Sequence, residues 1–421
     1  MTVRTADPGR ARAILLHDGS FVRLCVGQAI SAVGDKLSSM AVVVWILTQR
    51  DDGALALGAI FAVRVLATSG LLMIGGALAD RLPARQQTIA AQLALGTIVA
   101  ALAAIPADAP LGLILALFAG AGIADALFEP AVRMLVFDLA GPDRLGPANA
   151  VTTLTARVAG LLGPALGGLL VVAIGIKPTL LLDAASFLVA ALAVASSRTM
   201  IRERVAGGGA GRETILREAA AGLRFVGRTR WLRAVLLSDL GQTFVAVAPW
   251  FVLLPIALVP RGTTAYAVAI TAFAAGGLLG SAVPLRWKPS AIGRAALLAQ
   301  VLFAVPLLAL ALDLPLAMLA GACLIGGFGA DLGAVLFMTG VQRGVPAEVL
   351  GRVTALSSLG SVALLPAGFA IAGALAPAIG IQPMLWSGAI VVFAATGLAL
   401  RIPGVTHMGT DADARAPAVG G

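Results

Sequence analysis

Charge is what this sequence has least of for its size. Asp, Glu, Lys and Arg make up 12% of its 421 residues and apolar residues 59%, whereas a water-soluble chain carries roughly a quarter charged residues. That shortage excludes an ordinary soluble domain and leaves lipid as the solvent. Histidine is limited to His17 and His407, both in polar end segments, so no His pair exists for a metal site or a buried proton relay. Cys25 and Cys323 both fall within or beside apolar runs, which points to two free thiols and no disulfide. A G-x-x-x-x-G-K-[ST] loop is missing, which argues against ATP as the direct energy source. "GAGIAD" at 120–125 looks superficially like a nucleotide turn, but it lies inside an apolar run where its glycines serve packing. The opening "MTVRTADPGRARAILLHDGS" has no apolar core of signal-peptide length. No catalytic constellation is present, so neither an enzyme nor a cofactor is expected.

What the chain has in abundance is apolar sequence of helical length, with a mean hydropathy of +0.97. A bilayer core needs about 20 apolar helical residues per crossing. Twelve runs answer to that, at 24–48, 55–78, 88–105, 111–134, 149–174, 179–197, 232–257, 265–285, 293–312, 314–340, 352–376 and 383–401. The net charge of +9 could suggest nucleic acid. Its basic residues sit between apolar runs and not along one polar face, so no nucleic-acid partner is expected. Their distribution sets orientation instead. One side of the membrane collects nearly all Lys and Arg, and the other keeps only Arg50, Lys177 and Arg261. Both termini are therefore expected in the cytoplasm, in a multi-pass protein of the plasma (inner) membrane. Trp45, Trp250 and Trp386 fall toward outer span ends and Trp231 and Trp287 toward inner ones, the placing of an interfacial belt.

A long repeat organises the runs. "AIGIKP" (173–178) returns as "AIGIQP" (378–383), 205 positions on, and "GAGIAD" (120–125) returns as "GGFGAD" (326–331). Asp35 has Asp239 in the equivalent place, and "DRLGPANAV" (143–151) faces "EVLGRVTAL" (348–356). A period this long, running in one direction, marks two related halves. The expected fold is an all-α membrane protein of twelve transmembrane helices in two pseudo-symmetric six-helix bundles. The bundles are 1–197 and 232–401, joined by a cytoplasmic connector, 198–231, and followed by a disordered tail, 402–421. In the connector, "RETILREAAAGLRFVGR" puts Leu216, Ala219, Leu223 and Val226 on one face, as in an amphipathic helix lying on the inner leaflet. A solvated linker helix is the alternative.

The twelve runs, the repeat and the connector together resemble the major facilitator superfamily. "GGALADRLPAR" after the second run is similar to that superfamily's loop signature, with Gly76, Leu78, Asp80, Arg81 and Arg85 in register and Pro83 and Ala84 departing from it. "GPALGG" (Gly163, Pro164, Gly167 and Gly168) is similar to its antiporter signature, associated with exporters. The stretches "GPDRLGPANAV" and "VPAEVLGRVTAL" resemble the macrolide-efflux and enterobactin-exporter branch. The resemblance implies proton-coupled export by alternating access, with spans one, four, seven and ten lining a cavity. It also implies a cytoplasmic gate in which Asp80, Arg81 and Arg85 engage Arg133 or the start of span eleven near Arg352. The fourth span lacks the Arg of the superfamily's "R-x-x-q-G" signature, so the proton-transfer role tied to that Arg does not carry over.

Ionisable residues inside lipid are costly and default to functional readings. Gln28, Ser31, Asp35 and Ser38 form one polar stripe of span one by their 3–4–3 spacing, and Asp239, Gln242 and Thr243 echo it in span seven. Asp125 and Glu129 stand one turn apart in span four, and Asp331 in span ten. These five carboxylates are the proton-coupling candidates, Asp35 foremost. Lys36 and Arg64 could instead fix Asp35 in a structural ion pair, and Arg157 could pair with Asp125; both readings stay open. Asp183 is read as the start of span six, where an acid suits the helix dipole, with no transport role. The partners expected are a hydrophobic or amphipathic drug-like small molecule, protons and the bilayer, with a monomer as the working unit. Export of an endogenous siderophore, lipid or peptide product is the alternative within the same class. A non-transporting receptor is the alternative outside it, disfavoured by the paired intramembrane carboxylates.

Overall fold

In the computed structural model, residues 19–106, 108–141, 144–197, 223–406 and 408 are described. Side chains of 72–81, 347–348, 355, 358–359 and 361–362 fall outside that description, as do the connector's amphipathic stretch up to 222 and the tail from 409. The described elements are all helical. In lipid every backbone N–H and C=O must be satisfied within the chain, and apolar runs without internal charge meet that condition as helices.

Six long helices make the first half: α1 (Gly19–Gln49), α2 (Gly53–Arg81), α3 (Ala84–Ala104), α4 (Leu111–Ala140), α5 (Leu145–Ile174) and α6 (Ile176–Ala195). The second half comprises α7 (Arg230–Gln242), a π-turn (Thr243–Val247), α8 (Ala248–Leu258), α9 (Thr263–Ala282), α10 (Ile292–Val301), α11 (Ala304–Ala311), α12 (Leu316–Gly344), α13 (Ala347–Ile379) and α14 (Ile381–Leu400). Eleven of the resulting spans are long and apolar enough to cross a bilayer; in α13 the described apolar stretch is shorter, Ala363–Ile379. Leu169, Val172, Leu192, Ile390 and Leu398 stand more than half exposed, the outward apolar surface that a lipid-facing helix shows.

Two predicted spans are broken, both for the same reason. Pro249 has no N–H to give the Val245 carbonyl, and its ring crowds that turn. The seventh span accordingly widens into the π-turn just before it. Pro306 likewise cannot bond the Leu302 carbonyl, and the ninth span divides there into α10 and α11. The aromatic belt also needs correcting. Trp386 and Trp287 are exposed, but Trp250 is fully buried, and Trp45 and Trp231 nearly so. Trp250 instead packs against Phe273, tilted, and Phe303, edge-on, with ring centroids 6.2 and 6.1 Å away.

By packing, the chain divides into two compact units, residues 1–56 with 63–209, and 57–62 with 210–421. In the first, α6 packs on α1 and α3, while α5 packs on α1 and α4 on α3. In the second, α9 and α10 pack on α12, α11 on α14 and α8 on α13. The sequence repeat reappears as local geometry within each. Pro110 and Pro315, 205 apart, open α4 and α12 with φ,ψ of −54°,133° and −53°,148°. Gly175 and Gly380 join α5 to α6 and α13 to α14 with φ of 90° and 80°. That left-handed turn is open to glycine and strained for other residues, which explains why the paired hexapeptides keep it.

Candidate functional site

α1 carries its polar stripe into the interior of the first unit. Ser31 is buried and donates to Gln92 Oε1 of α3 at 3.3 Å, and Ser38 is buried and donates to the Asp35 carbonyl at 3.2 Å. Between them Asp35 reaches toward α2, where Arg64 lies across from α4. The Arg64 guanidinium bridges two acids: Nη2 stands 3.2 Å from Asp35 Oδ1 and Nε 2.9 Å from Asp125 Oδ2. Lys36 Nζ takes the other Asp35 oxygen at 3.0 Å. Two carboxylates and two cations thus form one charge-assisted network, joining three helices. Asp35, Asp125 and Arg64 are about a quarter exposed, at 27, 24 and 30%, whereas Lys36 is 45% exposed. Asp35, Arg64 and Asp125 face a cavity of about 370 Å³ that Gln28, Ser31, Thr68 and Glu129 also line. It adjoins a cavity of about 820 Å³ through Gln28, Ala32, Phe128 and Glu129, where Cys25, Asn149 and Thr152 add weakly polar walls. In the smaller cavity, charged and polar groups beside the apolar Ala32, Leu95, Phe128 and Phe187 suit an amphipathic small molecule.

The antiporter-like motif supports this cluster from behind. A Cβ on Gly163 would lie 2.2 Å from the Lys36 Cβ, and one on Gly167 2.9 Å from the Met40 Cβ. Two buried glycines of α5 therefore let α1 approach, and the stem of Lys36 crosses directly over Gly163. Gly168 is buried beside them, and Pro164 sits inside the helix. In the second unit Gly368, 205 residues after Gly163, receives Ala248 in the same manner, a Cβ there falling 2.6 Å away.

The other candidates divide. Glu129 pairs with Arg133 at 3.5 Å along α4, both exposed. Asp125 is bonded to Arg64, so the pairing weighed for Arg157 gives way to one with α2. In the second unit, Asp239 and Asp331 are half-buried, with the Asp331 carboxylate against Gly277 of α9. Gln242 donates to Ser238 at 2.9 Å, and Thr243 opens the π-turn. No arginine answers Arg64 here: the equivalent positions, 268–270, read Val-Ala-Ile. Of the gating candidates, the Asp80 and Arg81 side chains lie outside the described residues. Arg352 is half-buried near the start of α13. Arg85 donates to the carbonyls of Val194 (3.3 Å) and Ala195, the last turn of α6. There it satisfies helix-end carbonyls and complements the dipole.

Asp183 was misplaced by the sequence pattern. α6 starts at Ile176, directly after the Gly175 turn, so Asp183 stands two turns inside and is wholly buried. A helix-start role is therefore excluded. The signal that could have found it is the neighbouring Ser186, one turn on, which puts a second polar group on the same face.

Two of the three basic residues expected on the opposite membrane side, Arg50 and Arg261, are tied down. Arg50 donates to Asp52 at 2.7 Å and to the Ala109 carbonyl at 2.7 Å. Its hydrogen bond holds the Asp52 carboxyl below the usual carboxylate range. Arg261 pairs with Asp313 in the equivalent part of the second unit.

Comparison with known proteins bears on the family and the fold. A family model described as Major Facilitator Superfamily matches residues 24–365. The multidrug efflux pump Tap of Mycolicibacterium fortuitum is 29% identical over 378 residues, 83% of this chain and 89% of that protein. Among solved structures, a bacterial homologue of the iron transporter ferroportin in an inward-facing state aligns with a TM-score of 0.70 at 16% identity, over 92% of this chain and 98% of that one. The nucleoside transporter NupG aligns at 0.68 with 12% identity, over 90% and 97%. At such identities the structural likenesses bear on the fold alone.

Proposed function

The chain belongs to the major facilitator superfamily and is a membrane transporter, not an enzyme, and from that premise we propose that it exports amphipathic, drug-like small molecules in exchange for protons. The observation that carries this reading is the network of Asp35, Lys36, Arg64 and Asp125, of which the two acids and the arginine stand on the wall of a cavity in the first unit. The similarity to a multidrug efflux pump supports the substrate class. The concentration of Lys and Arg on one side supports cytoplasmic termini and a plasma-membrane setting.

Lys36 is the part of the network best suited to exchange. Its ammonium is the most exposed of the four charges, on a flexible stem, while Arg64 is held by two acids. A lipophilic cation entering the cavity displaces the Lys36 ammonium and takes its place beside Asp35. The site then holds one more positive charge, and the loss of one proton from the same wall restores the balance. Carboxylates at this depth, shifted between wet and dry surroundings by alternating access, are the groups that supply such a step. Asp239 and Asp331 furnish acids for the second unit, and Asp80, Arg81, Arg133 and Arg352 the cytoplasmic gate.

Everted membrane vesicles test this directly. An inside-acid gradient should drive accumulation of a fluorescent lipophilic cation, and a proton uncoupler should abolish it. Accumulation that follows a sodium gradient and ignores the uncoupler would overturn the proton reading. Failure to move any of a panel of lipophilic cations would overturn the substrate class.

A further inference from the structure

Beside the charged network lies an acid with no cation of its own. Asp183 has no exposed surface. Ser186 donates to its Oδ1 at 3.1 Å, and its Oδ2 has no hydrogen-bond partner. α1 seals it at Gly34, where a Cβ would fall 2.4 Å from Asp183 Oδ1 and 2.2 Å from Ser186 Oγ. Ser38, one turn further along α1, also faces the carboxyl. Its hydroxyl hydrogen, however, goes to the Asp35 carbonyl at 3.2 Å. A hydroxyl has one hydrogen to donate and lone pairs to accept with. What Ser38 retains for Asp183 is an acceptor, and a protonated acid supplies the matching O–H.

The charges nearby leave Asp183 without a counter-ion. Asp35 of α1 and Arg64 of α2 act on it at longer range and with opposite sign. α3, packed on α6, has Arg85 as its one ionisable residue, engaged at the far end of α6. α5 has only Arg157, and α6 itself only Lys177 in its first turn. None of the ion pairs among the described residues includes Asp183. An ionised carboxylate so placed loses its solvation with no counter-ion to replace it, a cost that a neutral acid avoids.

We propose that Asp183 is a proton-holding site of the first unit, a neutral acid while α1 covers it and a carboxylate once the α1–α6 seam admits water. It then carries the coupling proton in place of Asp35, which is already committed to two cations. The step is a proton transfer alone: the Oδ2–H bond breaks, the proton passes to cavity water, and the carboxylate is reloaded from the other side. Its transport consequence rests on the proton-exchange reading above; its protonated state does not.

Infrared spectroscopy of the purified full-length protein reads the state directly, through the carbonyl stretch of a protonated carboxylic acid. Asp183→Asn keeps the Ser186 bond and offers Ser38 an N–H, so the variant should fold, lose one such band and lose uphill efflux of the lipophilic cation. An unchanged acid band in Asp183→Asn overturns the proposal. A lost band with wild-type uphill efflux and pH dependence overturns the coupling role and leaves proton exchange standing elsewhere. Should Asp183→Asn fail to fold, Ser38→Ala serves: removing the acceptor should move the band to higher frequency, and an unmoved band overturns the proposal. Wild-type vesicles that ignore a proton gradient would instead overturn the exchange reading and with it the coupling role, whatever the infrared result.

Discussion

Arg64 bonds two acids on two other helices, and its removal strands Asp125 and leaves Asp35 with Lys36 alone. Breaking one partner out of a shielded ion network costs about 3 kcal/mol. Arg64→Gln should therefore lower thermal stability clearly, and adding Asp35→Asn and Asp125→Asn should recover most of the loss. A single Arg64→Gln variant as stable as wild type would show that water in the cavity already screens these charges. Lys36 makes the opposite prediction. Lys36→Met leaves Asp35 its bond to Arg64 but removes the resident ammonium, so a lipophilic cation should bind more tightly in equilibrium titration. Weaker binding would contradict the displacement step. Much of this cluster was legible in the sequence, because a charge within an apolar run is conspicuous and helical spacing reveals which charges share a face. Asp183 was not, since its meaning depends on where α6 begins, and the Gly175 turn puts that start earlier than the apolar run suggested.

The junction of α1 with α5 rests on two missing side chains. Gly163→Ala would force its methyl into the Lys36 stem, an overpacking that costs about 1–3 kcal/mol. Gly160→Ala, one turn earlier on the same helix with open space at that point, should cost nothing. A thermal-shift comparison of the two checks this, and equal behaviour would mean α5 yields freely. At the end of α1, the Arg50–Asp52 bond sets a pH dependence with a definite sign. Because the folded Asp52 carboxyl lies below its ordinary range, the bond's contribution is present above the unfolded carboxylate range and disappears as acidification protonates the folded group. Asp52→Asn should thus be slightly less stable than wild type near neutrality, with the gap closing in acid. The gap is expected to be small, since Asp52 is 38% exposed and exposed pairs contribute little. At this scale the helices were legible, because their apolar length is unmistakable. The breaks at Pro249 and Pro306 were harder, because a proline in lipid is tolerated whenever neighbouring turns re-satisfy its carbonyl.

Across the whole chain, the charge bias predicts which ends face the cytoplasm. With Cys25→Ser and Cys323→Ala as background, a membrane-impermeant maleimide should label Asp51→Cys on intact cells. Ser290→Cys, on the other side, should need permeabilised ones. The reverse pattern would invert the orientation and the direction of transport with it. The repeat that organises the chain was legible at this scale too, because its paired glycine and proline positions keep the same backbone angles. What it could not announce is where the halves have parted. Arg64 in the first unit meets Val-Ala-Ile at 268–270 in the second, and that difference has an evolutionary consequence. Duplicated segments within one gene exchange sequence by gene conversion, harmlessly while the copies are equivalent. Here a tract copied from α2 into α9 would set an arginine in a helix that carries none, at about 2.5–3.5 kcal/mol in lipid. The reverse tract would erase the cation on which Asp35 and Asp125 both depend. The two halves have ceased to be interchangeable, and selection must now keep them distinct.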